Sequence, residues 1–192
     1  MADSPSHDQE LLRQLAKGNE AAFRALYERY QGPIFRFALH MSGNSATAEE
    51  VTQEVFMLLI GNPKRYQPEK GAVAGYMFGM ARNLTRRSIQ RRHLDVPIGD
   101  YDENGAGSSP ALASNLDILG ELSQSELLEM LRKAVLSLPE PYREAVVLCD
   151  LEELSYDRAA EVLECSEGTV ASRLHRGRAI LKAKLSCHKC AK

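Results

Sequence analysis

The sequence predicts an all-α protein of two small helical domains joined by a flexible acidic linker. Three observations carry that prediction. Apolar residues recur at helical spacing through most of the 192 residues, and no stretch sustains the strict alternation of a strand. A segment rich in Gly, Ser, Asp and Pro interrupts the helical pattern near the middle. The charge alternates with it: 13 Lys and Arg against 9 Asp and Glu up to Leu94, then 8 acidic residues and no basic one from Asp95 to Glu129, then 11 basic against 9 acidic. The net charge of -2 hides this and says nothing about a polyanionic partner; only the distribution does.

In the first half, Leu11, Leu12 and Leu15 mark one helix and Phe23, Leu26, Tyr27 and Tyr30 the next. Pro33 reads as the start of a further helix through Phe35 and Leu39. Gly43-Asn44-Ser45 interrupts. AEEVTQEVFMLLI then puts Val51, Val55, Phe56 and Leu59 on one face and Glu49, Glu50, Gln53 and Glu54 on the other. Asn44, Ser45 or Thr47 is placed to cap it, and Thr47 with Glu50 has capping-box spacing. GNPKRYQPEKG reads as a loop. The helix after it, from Gly75 to His93, is apolar first and Arg-rich later, with no acidic residue between Lys70 and Asp95.

In the second half, ELLEMLRKAVLSL is one helix, and Pro139 and Pro141 open the next, PYREAVVLCDLEEL. Ser155 is placed to cap a short helix, YDRAAEVL. ECS makes a three-residue turn. Ser166 is placed to cap the last helix, EGTVASRLHRGRAILKAKL. Two short helices, a tight turn and a basic second helix form a helix-turn-helix. Ala159 and Ala160 let the helices approach, and Val162, Leu163, Val170 and Leu174 supply their shared core. Glu167, Thr169, Ala171, Ser172, Arg173, His175 and Arg176 then face outward, short groups first and long cations later. A helix entering the major groove needs that order, because early residues reach base edges and cations hold phosphates.

Four stretches together resemble one family. AAFRALYERYQGPIFRFA, ATAEEVTQEVFMLLI, YQPEKGAVAGYMFGMARNLTRRSIQRRH and LPEPYREAVVLCDLEELSYDRAAEVLECSEGTVASRLHRGRAIL stand in the order found in sigma-70 family RNA polymerase sigma factors of the small extracytoplasmic-function (ECF) group. The resemblance implies sigma region 2 over residues 1–95, an acidic linker over 96–124, sigma region 4 over 125–186 and a Cys-containing tail over 187–192. It implies that Glu50, Gln53, Glu54 and Phe56 contact core RNA polymerase. It implies that Arg82, Asn83, Arg86, Arg87, Arg91 and Arg92 serve opening and reading of the promoter -10 element, with Tyr66, Tyr76 and Phe78 as stacking candidates. Ser166, Glu167, Thr169, Ser172, Arg173, His175, Arg176 and Arg178 would meet the -35 element. An anti-sigma factor is implied as a further partner, with a free chain that is monomeric.

Three departures from the family pattern stand out, the first being Tyr76-Met77-Phe78-Gly79-Met80 where the family commonly has Trp. Glu164 occupies the turn where Gly is usual, which predicts a less tightly bent backbone, and Ala171 stands where Lys or Arg is common. The tail CHKC offers Cys187, His188 and Cys190, at most three ligands where zinc wants four. An exposed tail is therefore expected, with a metal- or redox-sensing tail as the competing reading. No cofactor is expected. No apolar stretch approaches the roughly 20 residues of a membrane span, and the polar start lacks a signal-peptide core, so a cytoplasmic location is expected. A conventional helix-turn-helix regulator fits the second half equally well but leaves the Arg-rich helix and Gln53-Glu54-Val55-Phe56 unexplained. An enzyme finds no support: no phosphate-binding Gly loop is present and the five His are scattered.

Overall fold

The computed structural model describes residues 5–95 and 118–189, with side chains described over 7–92 and 126–186. Eight α-helices and no strand occur among the described residues. Four lie in the first half: α1 (Pro5–Leu15), α2 (Glu20–Ser42), α3 (Ser45–Gly61) and α4 (Val73–Asp95). Four lie in the second: α5 (Ile118–Leu136), α6 (Glu140–Val146), α7 (Tyr156–Leu163) and α8 (Glu167–Lys189).

The α2–α4 core is built from the apolar faces legible in the sequence. Leu26, Ile34 and Phe37 of α2, Val51, Val55 and Leu59 of α3, and Val73 and Met77 of α4 are almost wholly buried. Phe37 meets Phe78 edge-on at 5.8 Å. α2 starts at Asn19, whose side chain accepts from the Ala21 and Ala22 amides. It ends at Gly43 in the left-handed conformation, φ 69°.

Pro33 does not open a helix as expected; it lies inside a continuous 23-residue α2. An interior proline costs about 3 kcal/mol. Tyr30 precedes it and Ile34, Phe37, Ala38 and Met41 follow it, all buried, so tertiary packing on both sides outweighs the local cost. Asn44 is the cap of α3, accepting from the Thr47 amide at 2.9 Å; Thr47 itself is buried in the helix. The Pro-rich loop contains two short 3-10 turns, Pro63–Arg65 and Pro68–Lys70.

α5 begins at Ile118, so residues 118–124 belong to a helix rather than to the linker expected there. Ile118, Leu119 and Leu122 already stand at helical spacing, and Ser and Gly in the same stretch masked that pattern. The rest of the expected linker, 96–117, lies outside the described residues. α6 gives way at Val147–Leu151 to a π-helical turn rather than running on to Leu154.

The two halves pack together. α4 lies against α7, and α2 against α5, α6 and the π turn. Within the second half α8 crosses α6 so closely that a Cβ on Gly177 would stand 2.7 Å from Val146 Cγ2 and 3.3 Å from the Tyr142 carbonyl oxygen.

Candidate nucleic-acid and polymerase interfaces

α7, the turn and α8 form the helix-turn-helix. Ser155 holds the cap position of α7, but its side chain accepts no backbone hydrogen bond there. Ser166 does cap α8: its Oγ accepts from the Thr169 amide at 3.2 Å and lies 2.9 Å from Thr169 Oγ1. Ala159, Val162, Leu163, Val170 and Leu174 are buried between the two helices.

The turn is tighter than Glu164 predicts. Glu164 takes the left-handed conformation, φ 53° and ψ 45°, and its N–H donates to the Ala160 and Glu161 carbonyls. The hydrogen bonds that end α7 and the burial of Leu163 on one side and Val170 on the other impose the bend. A non-glycine residue accepts it at a cost of roughly 1 kcal/mol.

On α8, Ser166, Glu167, Ser172, His175, Arg176 and Arg178 are exposed, and Thr169, Ala171 and Arg173 are half-buried. Arg173 Nη1 lies 3.8 Å from Cys165 Sγ. Arg178 is held in a two-pronged pair with Asp150, at 3.0 and 2.5 Å. That pair raises its pKa still further above the ordinary arginine value. Arg173 and Arg176 form no salt bridge among the described residues.

α4 treats its cations differently. Asn83, Arg87, Arg91 and Arg92 are exposed, with Arg92 donating to Asn44 Oδ1 at 3.1 Å. Arg82, expected at a DNA face, is 8 % exposed. Its Nε donates to Glu144 Oε1 at 2.6 Å, and its Nη1 donates to the Val162 carbonyl at 3.3 Å. Arg86 Nε donates to Glu140 at 2.7 Å, a partner 54 residues away. In this arrangement both guanidiniums are occupied by α6 and α7. The stacking candidates divide too. Phe78 is core, whereas Tyr66 and Tyr76 are half-buried against each other at 5.5 Å, and the Tyr66 hydroxyl donates to the Gly71 carbonyl.

The α3 face is solvent-facing as expected: Glu49, Glu50, Gln53 and Glu54 are exposed. Phe56 is not; at 3 % exposure it is the floor of the surface, T-shaped to Phe23 at 6.1 Å and tilted on Tyr27 at 4.8 Å. Sequence reasoning missed the residues that surround it. Tyr27, Met57 and Ile60 are 41 %, 63 % and 48 % exposed beside a groove of about 440 Å³ lined also by Gln53 and Phe56. Large apolar side chains left in water next to a groove mark an interaction surface. The signal was present in VFMLLI, where six apolar residues in a row exceed what one buried helix face absorbs.

Cys149 and Cys165 are half-buried against the edge of the core, and burial pushes the Cys149 thiol up to about 11. Side chains from residue 187 onward, including Cys187, His188 and Cys190, lie outside the described residues. No group of three or more metal-ligating residues occurs among the described residues. No helix there is long and apolar enough to cross a membrane.

Comparison with known proteins fits both halves of the chain to one family. The family model for sigma-70 region 2 matches residues 26–94 and that for sigma-70 region 4 matches 128–181. The ECF RNA polymerase sigma factor SigM of Bacillus subtilis is 32% identical over 158 residues, covering 82% of this chain and 91% of that protein. The chain belongs to the sigma-70 family of RNA polymerase sigma factors, in its ECF group. A second ECF sigma factor, SigE of Mycolicibacterium smegmatis, is 35% identical over 179 residues, 90% of this chain. This sigma factor spans 66% of that relative's length. Its fold matches RpoE of Bartonella quintana, solved in complex with the anti-sigma factor NepR, with a TM-score of 0.66 and 22% identity over 85% of this chain and 96% of that one.

Proposed function

We propose that this sigma factor brings core RNA polymerase to specific promoters and starts transcription there, acting in the cytoplasm through binding alone and leaving catalysis to the polymerase. The observation that carries the reading is the capped, fully packed helix-turn-helix whose second helix turns Arg173 and Arg176 outward without a paired carboxylate. Ser166, Glu167, Thr169 and Ser172 stand at the start of α8, where a helix in the major groove reaches base edges. Arg173, His175, Arg176 and Arg178 follow, positioned for phosphates of the -35 duplex.

Asn83, Arg87, Arg91 and Arg92, with Arg82 and Arg86 once released, serve the -10 element. Several cations on one helix neutralise phosphates and give an affinity that falls steeply with salt. The α3 face binds the polymerase: Glu50, Gln53 and Glu54 supply polar contacts around the apolar groove, and Phe56 supports it from beneath. The division into region 2 over 1–95 and region 4 over 125–186 follows from these roles. An anti-sigma factor as a partner is supported by the structural likeness to a sigma factor solved with one. The free chain is taken to be a monomer, since no self-complementary surface is needed for any of these contacts.

The test is run-off transcription by purified core polymerase on genomic promoter fragments, with and without the chain. Transcripts that start at shared -10 and -35 elements only when the chain is present are the expected result. Tight binding of the chain alone to duplex DNA, with no new transcripts, would instead establish a conventional regulator.

A further inference from the structure

α8 leaves the turn with two unequal flanks. Helical spacing divides its outward residues into two ridges on either side of Ser172. One ridge carries Thr169, Arg173 and Arg176, and its two guanidiniums meet no carboxylate among the described residues. The other carries Glu167, Ala171, His175 and Arg178. Positive charge is withdrawn from this second ridge by each of three separate features. Glu167 is exposed and brings a carboxylate that makes no ion pair among the described residues. Ala171, half-buried, brings only a methyl. Arg178 spends both prongs of its guanidinium on Asp150, at 3.0 and 2.5 Å.

A carboxylate on a helix that faces DNA is unfavourable unless a base donor receives it, because phosphates line both edges of the groove. The major groove offers two amino donors, cytosine N4 and adenine N6. Adenine places its N7 acceptor beside N6, which repels a carboxylate, whereas a C–H lies beside cytosine N4. Glu167 therefore suits cytosine, its carboxylate accepting from N4–H. A methyl gains only from apolar contact, and the apolar feature of the groove is the thymine C5-methyl, which suits Ala171. The two residues stand one turn apart, about 6 Å along the helix, against about 3.4 Å per base step. The two bases therefore fall within about two steps of each other. Gly168 and Ser172, on the outermost line of α8, are small, and a Cβ on Gly168 would meet nothing nearer than Ser166 Oγ at 3.9 Å. No bulky group there holds the helix away from the base edges.

We infer that the Glu167–Ala171 flank of α8 reads pyrimidines in the -35 duplex, a cytosine through Glu167 and a thymine through Ala171, while Arg173 and Arg176 on the opposite flank grip phosphate. The inference rests on the reading of α8 as the helix that enters the -35 duplex. The division separates choice from grip: phosphate contacts hold every sequence alike, and base contacts discriminate. Cations on both flanks would hold DNA more tightly and choose less. Glu167 also lies in the first turn of α8, where a carboxylate suits the helix dipole. That role favours the fold but no particular base, so a base preference tells the two apart.

The test uses the chain bound to core polymerase, on promoter fragments randomised over the -35 element, with bound fragments recovered and sequenced. The native chain is expected to enrich a cytosine and a thymine within about two base steps. Glu167→Gln, changed at an exposed position, keeps the shape and loses the charge. An amide matches adenine N6 and N7 together, so the preference for cytosine should fall about tenfold and move towards adenine. Deoxyuridine in place of the enriched thymine removes its methyl alone. The native chain should then lose about fourfold in affinity, and the Ala171→Gly chain should not distinguish the two bases. Arg173→Ala/Arg176→Ala should weaken binding to every sequence alike.

An unchanged cytosine preference in Glu167→Gln overturns the inference. So does a loss on deoxyuridine that is equal in the native and Ala171→Gly chains, or absent from the native chain. If the Arg173→Ala/Arg176→Ala chain is weakened in those cases, α8 remains the -35 helix and only the role of its flank fails. If the native chain selects no sequence at -35 and Arg173→Ala/Arg176→Ala binds as the native chain does, the reading of α8 fails and takes the inference with it.

Discussion

α4 and α8 are both 23-residue helices with clustered arginines, but the fold treats their cations in opposite ways. α4 gives Arg82 and Arg86 to carboxylates from another part of the chain and leaves Arg87 and Arg91 exposed. α8 keeps Arg173 and Arg176 clear of carboxylates and ties only Arg178, to a neighbour within its own half. A run of arginines therefore measures how much positive charge a helix carries, not how much it offers. What decides is whether a carboxylate elsewhere in the sequence reaches it.

The largest expected difference between the helices is in stability. Arg82→Ala leaves the Glu144 carboxylate buried without its cation, which costs about 3–5 kcal/mol. Arg176→Ala, at an exposed position, should change stability by less than about 0.5 kcal/mol. Urea unfolding of both variants checks this; equal midpoints would show that Arg82 is as loosely held as Arg176.

The glycines of the two helices come next. Gly177→Ala drives a methyl into Val146 and towards the Tyr142 carbonyl, and overpacking of that kind costs about 1–3 kcal/mol. Gly79→Ala meets nothing within 4 Å and should instead stabilise α4 by roughly 0.5–1 kcal/mol. Opposite shifts in melting temperature are expected. Two shifts of the same sign would mean that α8 has room to move away from α6.

The entry to α8 gives a smaller effect. Glu164→Gly relieves a left-handed backbone and should raise stability by about 1 kcal/mol, offset in part by the freer unfolded chain. A loss of stability in the same unfolding assay would show that the Glu164 side chain contributes more than its backbone conformation costs. The smallest effect concerns Arg178. Asp150→Asn frees its guanidinium, and the salt dependence of DNA binding through α8 should steepen by about one phosphate contact. An unchanged slope would mean that Arg178 serves only to hold α8 against the turn containing Asp150.

Much of this contrast was invisible in the sequence for a physical reason. Local features were legible because their cause is local. Ser166 lies next to the amides it caps, and Val51, Val55 and Leu59 repeat at the helical period. Arg82 and Glu144 are 62 residues apart, and no periodicity links them. Pro33 misled because local propensity predicts a break that packing on both sides overrides. Glu164 misled in the same manner, since the neighbouring helices set its conformation. Phe56 was correctly placed on an apolar face, but its depth depends on Phe23 and Tyr27, which come from another helix.

The division of labour between α4 and α8 is tested most directly on one promoter with two variants bound to core polymerase. Arg87→Ala/Arg91→Ala should keep protection of the -35 duplex from nuclease yet lose permanganate reactivity of thymines at -10. Arg173→Ala/Arg176→Ala should lose the -35 protection itself. If both variants fail in the same way, or if either behaves as the native chain, the assignment of opening to α4 and duplex grip to α8 is contradicted.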